Sequence, residues 1–176
     1  MGRSPREDAP LSERTGRGSA ARTRVCFVCW GNICRSPTAE GVMRQLVAEA
    51  GLSDRIEVDS AGTSTEELGN PVDPRAVKEA ARRGLTLEHV ARQFQSDDFD
   101  RYDLVLVADE LNMRRMRRLA RTADDDAKLH MIREFDPDFD PSDPDVPDPW
   151  YGGADGFVYV YDVLEASCRG LLDQLR

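Results

Sequence analysis

The chain has 176 residues, 40% apolar and 32% charged, with a formal net charge of −9. That length suits one domain with a full core, and the acidic balance argues against a general nucleic-acid binder. No run of about 18 apolar residues occurs, so no membrane span is expected, and four cysteines without a disulfide-like framework fit a reduced, cytoplasmic setting.

Residues 1–23 are polar and lack periodicity, which predicts a disordered tail. They hold five Arg against three acids, a surplus of two, so the rest of the chain carries −11. Without an apolar core the segment is no secretory signal, and its mixed charges argue against a basic docking arm. Residues 24–29 predict a first strand. Cys26 and Cys29 form a Cys-x-x-Cys, but odd spacing along a strand sends side chains to opposite faces. A shared metal is therefore not expected, and Cys26 reads as a buried core thiol.

The strand runs into Cys29-Trp30-Gly31-Asn32-Ile33-Cys34-Arg35-Ser36-Pro37, and a helix follows. Gly31 and Asn32 tolerate the positive φ of a tight curl. Successive backbone N–H groups in such a curl form a nest for phosphate oxygens, and Arg35 can grip two of them with its planar fork. The following helix aims its positive end at the same point. Cys29 then stands where a thiolate is favoured.

Further along, Ala39, Val42, Met43, Leu46, Val47 and Ala50 give residues 37–50 one buried helical face, closed by Gly51. Ile56–Ser60 reads as a second strand. Asp73 caps a helix with Pro74 at its first position, Ala76, Val77, Ala80 and Ala81 facing inward, and Gly84 at its end. Leu104–Ala108 is a continuous apolar run, a buried parallel strand. Asp109 starts a helix through about Arg121, with Met113, Met116 and Ala120 inward. Its arginines, Arg114, Arg115, Arg117, Arg118 and Arg121, predict a solvated face balanced by Asp124, Asp125 and Asp126. Lys128–Ile132 is a fourth strand, an Asp/Pro loop covers 135–155, and a helix from about Gly156 buries Phe157, Val160, Tyr161, Leu164, Cys168, Leu171 and Leu175. Asp136-x-Asp138-x-Asp140 begins like a calcium loop, but Pro141 and Pro147 occupy the turn-glycine and glutamate positions.

Strands alternating with helices predict a doubly wound α/β fold, a four-stranded parallel sheet with helices on both faces. The cysteine loop follows the first strand, where such sheets bind ligands.

The nine-residue loop closely resembles the signature of the low-molecular-weight protein tyrosine phosphatases, Cys-x-Gly-Asn-Ile-Cys-Arg-Ser-Pro. The likeness resumes at Asp59-Ser60-Ala61-Gly62-Thr63, Asp73-Pro74-Arg75-Ala76, His89-Val90-Ala91-Arg92-Gln93 and Asp148-Pro149-Trp150-Tyr151-Gly152, so it covers residues 24–176. The resemblance implies hydrolysis of phosphotyrosine and small aryl phosphates. Cys29 would attack phosphorus, and Gly31, Asn32, Ile33, Cys34, Arg35 and Ser36 would hold phosphate. Six aspartates, Asp136, Asp138, Asp140, Asp143, Asp145 and Asp148, punctuate the proline-rich part of the 135–155 loop, and chemistry alone leaves the acid open among them. The resemblance assigns Asp148, with Trp150 and Tyr151 walling a slot for a phenyl ring. It also implies that Asn32, Ser60 and His89 brace the loop, and that Cys34 forms a reversible disulfide with Cys29. Ser36 is placed to hydrogen-bond the Cys29 sulfur. No metal or other cofactor is called for. The implied partners are tyrosine-phosphorylated proteins, met by a monomer.

Three departures bear on substrate choice. Trp30 occupies a position where the family usually carries smaller residues, Glu66 and Glu67 replace an aromatic residue and its neighbour on the rim, and Trp150 replaces a tyrosine. An acidic rim should repel acidic peptides. Among rivals, the family's arginine phosphatases carry threonine where this chain has Ile33, and arsenate reductases need a mid-chain cysteine pair that is absent between Cys34 and Cys168. A non-catalytic phosphotyrosine-binding module would not require the nucleophile.

Overall fold

The strands β1 (Thr23–Cys29), β2 (Ile56–Gly62), β3 (Leu104–Val107) and β4 (Leu129–Met131) form one parallel sheet in the order β2-β1-β3-β4, in a computed structural model that describes residues 21–176. Val25 lies opposite Val58 on one side and Leu104 on the other. The chain leaves β1 toward β2 and returns on the far side as β3, so the connection reverses beside the carboxyl end of β1. That reversal is where doubly wound sheets open a crevice, and Cys29 is the last residue of β1.

Among the described residues, five α-helices accompany the sheet: α1 (Arg35–Glu49), α2 (Pro74–Arg82), α3 (Glu110–Leu119), α4 (Ala123–Ala127) and α5 (Ala154–Leu175). The period-two alternation of β1 divides the core. Val25, Phe27 and Cys29 pack with the apolar stripes of α1 and α5, whereas Cys26 and Val28 face Phe94, Phe99, Tyr102, Met113 and Met116. Cys26 is fully buried, on the face opposite Cys29.

Two stretches differ from expectation. The helix after β3 stops at Leu119, because Ala120 takes an extended ψ of 128°. Thr122 then caps a separate short helix, accepting from the Asp125 amide at 3.1 Å. Three aspartates fill its first turn, where negative charge is favoured. In α2, Ala81 is exposed and Glu79 is buried instead. Arg82 and Arg83 clamp the Glu79 carboxylate, each at 2.8 Å, which makes its burial affordable.

Most of the expected tail, residues 1–20, lies outside the described residues. Arg22 donates to the Ser53 and Asp54 carbonyls, and Thr23 already pairs with Ile56 in the sheet. Among the described residues, no helix is long and apolar enough to cross a membrane. In the Asp/Pro loop, Asp136 accepts from the Asp138 amide and Asp140 from the Ser142 amide and hydroxyl. These carboxylates thus turn to their own backbone.

Candidate active site

Residues 29–36 curl between β1 and α1. Asn32 takes φ +59°, the non-glycine residue with a left-handed backbone among those described. The curl sits directly on the end of β2, where Thr63 and Ser64 donate to the Cys29 and Trp30 carbonyls at 2.9 and 3.1 Å. Gly62 is required there: a Cβ would stand 2.9 Å from the Trp30 carbonyl oxygen and 3.1 Å from Asn32 Cβ.

The side chain of Asn32 organises the loop. Its Oδ1 accepts from the Arg92 amide at 3.0 Å, which fixes the amide orientation, and lies 2.7 Å from His89 Nε2. Its Nδ2 donates to Ser36 Oγ at 2.8 Å and Ser60 Oγ at 3.0 Å. Because Ser36 Oγ accepts from Asn32, its single proton is free to point elsewhere. Cys29 Sγ, at 2.9 Å, is nearer than the Ala61 carbonyl at 3.4 Å. The hydroxyl is thus aimed to donate to the sulfur.

Glu40, which sequence reasoning missed, ties this network to α1. Its Oε2 accepts from Ser60 Oγ at 2.6 Å and lies 3.1 Å from His89 Nδ1, and Arg44 pairs with Oε1 at 2.7 Å. Burial raises the Glu40 pKa, opposed by the Ser60 hydrogen bond and by His89. Glu40, Asp59 and His89 offer ligand-type atoms within 4.8 Å of one another. Arg44 and Arg92 already balance the two carboxylates, so the cluster is a bracing network of ordinary ion pairs.

Arg35 is buried. Its Nη1 donates to Asp109 Oδ2 at 2.7 Å and to the Val146 carbonyl at 2.9 Å, while Nη2 stands 3.6 Å from Asp148 Oδ2. Burial opposes its charge, but Cys29, Asp109 and Asp148 outweigh that and hold its pKa above the ordinary value. Asp109 is the second residue sequence reasoning missed. It reads as a helix cap and is one, its Oδ1 accepting from the Asn112 amide at 2.7 Å. The other oxygen is what holds Arg35.

Cys34 is buried beside the loop. Burial pushes its thiol well up, and the nearby Asp73 and Cys29 add to the effect. Asp73 also joins the loop through its amide, which donates to the Ile33 carbonyl at 2.8 Å.

A cavity of about 150 Å³ opens above the curl. Cys29, Ile33, Cys34 and Arg35 form its floor, Trp30, Glu66 and Glu67 one wall, and Asp148, Trp150 and Tyr151 the other. Trp150 and Tyr151 are 45% and 89% exposed, so neither belongs to the core. Asp148 Oδ1 accepts from the Trp150 amide at 3.0 Å, which fixes the turn carrying both rings. Arg75 holds that turn from outside, donating to the Trp150 carbonyl at 3.3 Å and pairing with Asp73 at 2.9 Å. All the residues expected at the site from sequence therefore meet around one cavity or directly beneath its floor.

The family model described as low molecular weight phosphotyrosine protein phosphatase matches residues 24–176. The chain belongs to this family. A low molecular weight protein-tyrosine-phosphatase of Streptomyces coelicolor is 50% identical over 153 residues, covering 87% of this chain and 93% of that one. The structure of a protein tyrosine phosphatase from Entamoeba histolytica superposes with a TM-score of 0.82 at 33% identity, covering 87% of this chain and 96% of that one. A Drosophila arginine phosphatase superposes with a TM-score of 0.78 at 29% identity, covering 85% and 95%. Like its phosphatase relatives, this low-molecular-weight phosphatase is a hydrolase, and its family acts on phosphoproteins.

Proposed function

We propose that the enzyme hydrolyses phosphotyrosine and small aryl phosphates through a phosphocysteine on Cys29, with Asp148 as general acid and then general base. The observation that carries this reading is the placement of a sulfur, a guanidinium and a carboxylate around one aromatic-walled cavity. In the first step the Cys29 thiolate attacks phosphorus. The phosphorus–oxygen bond to the phenol breaks, and Asp148 gives its proton to the departing oxygen. In the second step water attacks phosphorus, Asp148 takes a proton from it, and the phosphorus–sulfur bond breaks to release phosphate and thiolate.

Asp109 and Val146 occupy Nη1 of Arg35. That leaves Nε and Nη2 to hold two equatorial oxygens, beside the loop amides, where charge develops in the transition state. A hydrogen bond from Ser36 stabilises the thiolate, and so favours its departure in the second step. Gly31, Ile33 and Cys34 contribute backbone around the phosphate, and Asn32, Ser60 and His89 keep the curl in shape.

Trp150 and Tyr151 supply flat apolar walls that suit a phenyl ring. Ile33 faces the cavity with an alkyl group, which offers a guanidinium no hydrogen bond, and this favours phosphotyrosine over phosphoarginine. A reducing, cytoplasmic setting fits a nucleophile that works only as a thiolate.

The test compares turnover of a phosphotyrosine peptide and a phosphoarginine peptide by wild type, with Cys29→Ser as control. We expect phosphotyrosine to be hydrolysed and a phosphoenzyme to be trapped on wild type alone. Turnover by Cys29→Ser above a few per cent of wild type would refute covalent catalysis, and a preference for phosphoarginine would refute the substrate.

A further inference from the structure

Trp30, the residue after the nucleophile, is held on two sides. Its Nε1 donates to Glu66 Oε2 at 3.0 Å, and the Arg115 guanidinium lies 3.7 Å from the ring centroid. Arg115 reaches the ring from α3, outside the cavity walls. A guanidinium stacked this closely is oriented by the ring yet keeps its charge and donors for another acceptor.

The five arginines of this segment divide into two sets. Arg117 pairs with Asp126, and Arg121 with Asp100 and Asp125. No ion pair joins Arg114, Arg115 or Arg118 to a carboxylate among the described residues. Their spacing, with Leu111, puts them on one face of the helix, and Leu111, Arg114 and Arg118 are exposed. The expectation of a solvated face balanced by Asp124–Asp126 therefore describes one side of α3 and not the other.

The start of α3 is fixed at the catalytic site, because Asp109 holds Arg35. At about 1.5 Å per residue, Arg115 and Arg118 lie roughly 9 and 13 Å along the helix from that anchor. An extended peptide covers this distance in about three or four residues. Glu66 accepts from the edge of the Trp30 ring, and Glu67 lines the cavity with it. The mouth is thus polarised, cationic along α3 and anionic along the 63–70 loop, on a body that is strongly acidic elsewhere.

We infer that the row Arg114, Arg115 and Arg118 docks an acidic segment lying on one side of the phosphotyrosine in the protein substrate, with Trp30 as its hinge to the catalytic cavity. This rests on the phosphotyrosine reading above. Charge complementarity selects the occupant: three cations with no carboxylate partner among the described residues, beside exposed Leu111, fit acidic and apolar side chains two to four residues from the phosphotyrosine. The acidic rim then repels acidic residues on the other flank only.

The experiment uses four phosphotyrosine peptides, with three acidic residues or three glutamines on the amino-terminal or the carboxyl-terminal flank. Each kcat/KM is divided by the same variant's value on p-nitrophenyl phosphate, which is too small to reach α3. At low salt we expect wild type to favour acidic residues on one flank by roughly threefold to tenfold, the scale of two or three exposed ion pairs. The preference should shrink toward unity in about 0.5 M salt. Arg115→Gln, and the double variant Arg114→Gln with Arg118→Gln, should each reduce it. Arg117→Gln, on the paired side of the helix, should leave it intact. Equal efficiency on all four peptides overturns the inference while leaving the phosphotyrosine reading standing. So does a preference of equal size from both flanks, or one that the Arg114, Arg115 and Arg118 variants do not reduce. Failure of wild type to turn over any phosphotyrosine peptide, with p-nitrophenyl phosphate still hydrolysed, defeats both.

Discussion

Arg35 and Asp109 are 74 residues apart in sequence and 2.7 Å apart in space. One oxygen of Asp109 caps α3 and the other holds the guanidinium, so a single carboxylate sets both the start of a helix and the aim of the phosphate-binding fork. Asparagine is an equally good helix cap but carries no charge. Asp109→Asn should therefore keep the melting temperature within a few degrees of wild type. It should lower kcat/KM on p-nitrophenyl phosphate about tenfold to a hundredfold, the scale of one charge-assisted hydrogen bond. Unchanged kcat/KM would remove Asp109 from any part in aiming Arg35.

The strand, curl and helix around Cys29 were legible because each local feature carries its own signal: apolar run, glycine and asparagine, then proline and an amphipathic stripe. Residues with two jobs were not. Asp109 announces itself as a cap, and nothing in its neighbourhood reveals the second oxygen's partner. Glu40 sits beside the apolar stripe of α1 and looks like an edge residue until Ser60 and His89 arrive from distant elements. The arginines of α3 share one composition, and only the fold separates those facing α4 from the one over Trp30. Helix ends set by a single residue, such as the break at Ala120, were also invisible, because the charged pattern continues across them.

Glu79 should contribute to acid sensitivity. The hydrogen bond from Arg82 is the largest influence, and with that from Arg83 it depresses the pKa to about 2 against the opposing effect of burial. The folded state holds the depressed value, so the stabilisation is fully present above about 4.5 and is lost as pH falls toward 2. Arg83 also pairs with Asp162 at 2.5 Å, so the clamp couples α2 to α5. Glu79→Gln should lower the melting temperature at pH 7 and flatten its decline between pH 4.5 and 2. Parallel curves for variant and wild type over that window would rule out Glu79 as a source of the decline.

The thiol pair invites a redox test. Burial keeps Cys34 a thiol, and Cys29 sits at the cavity floor beside Ser36, so peroxide should oxidise Cys29 first. The resulting sulfenic acid can condense with the Cys34 thiol, forming a disulfide and releasing water. Brief peroxide should therefore inactivate wild type, and dithiothreitol should restore it. Cys34→Ser, given the same dose, should recover less activity because Cys29 proceeds to irreversible acids. Equal recovery would end the protective role.

The identity of the acid can be decided by three neighbouring aspartates with different partners. Asp143 pairs with Arg133 at 3.2 Å, and Asp145 accepts from the Glu110 amide at 2.9 Å, so both serve the loop and the first turn of α3. Asp148 alone combines a place on the cavity wall with an oxygen 3.6 Å from Arg35 Nη2. Asp148→Ala should thus lose about 10²–10⁴ in kcat on p-methylphenyl phosphate, the usual worth of general acid catalysis. The loss should shrink on p-nitrophenyl phosphate, whose leaving group departs without a proton. Asp143→Ala and Asp145→Ala should keep wild-type kcat on both substrates. Asp145→Ala should also melt a few degrees lower, about the cost of a lost helix cap in a domain of this size. A larger dependence on leaving group in Asp143→Ala or Asp145→Ala than in Asp148→Ala would move the proton donor to that residue.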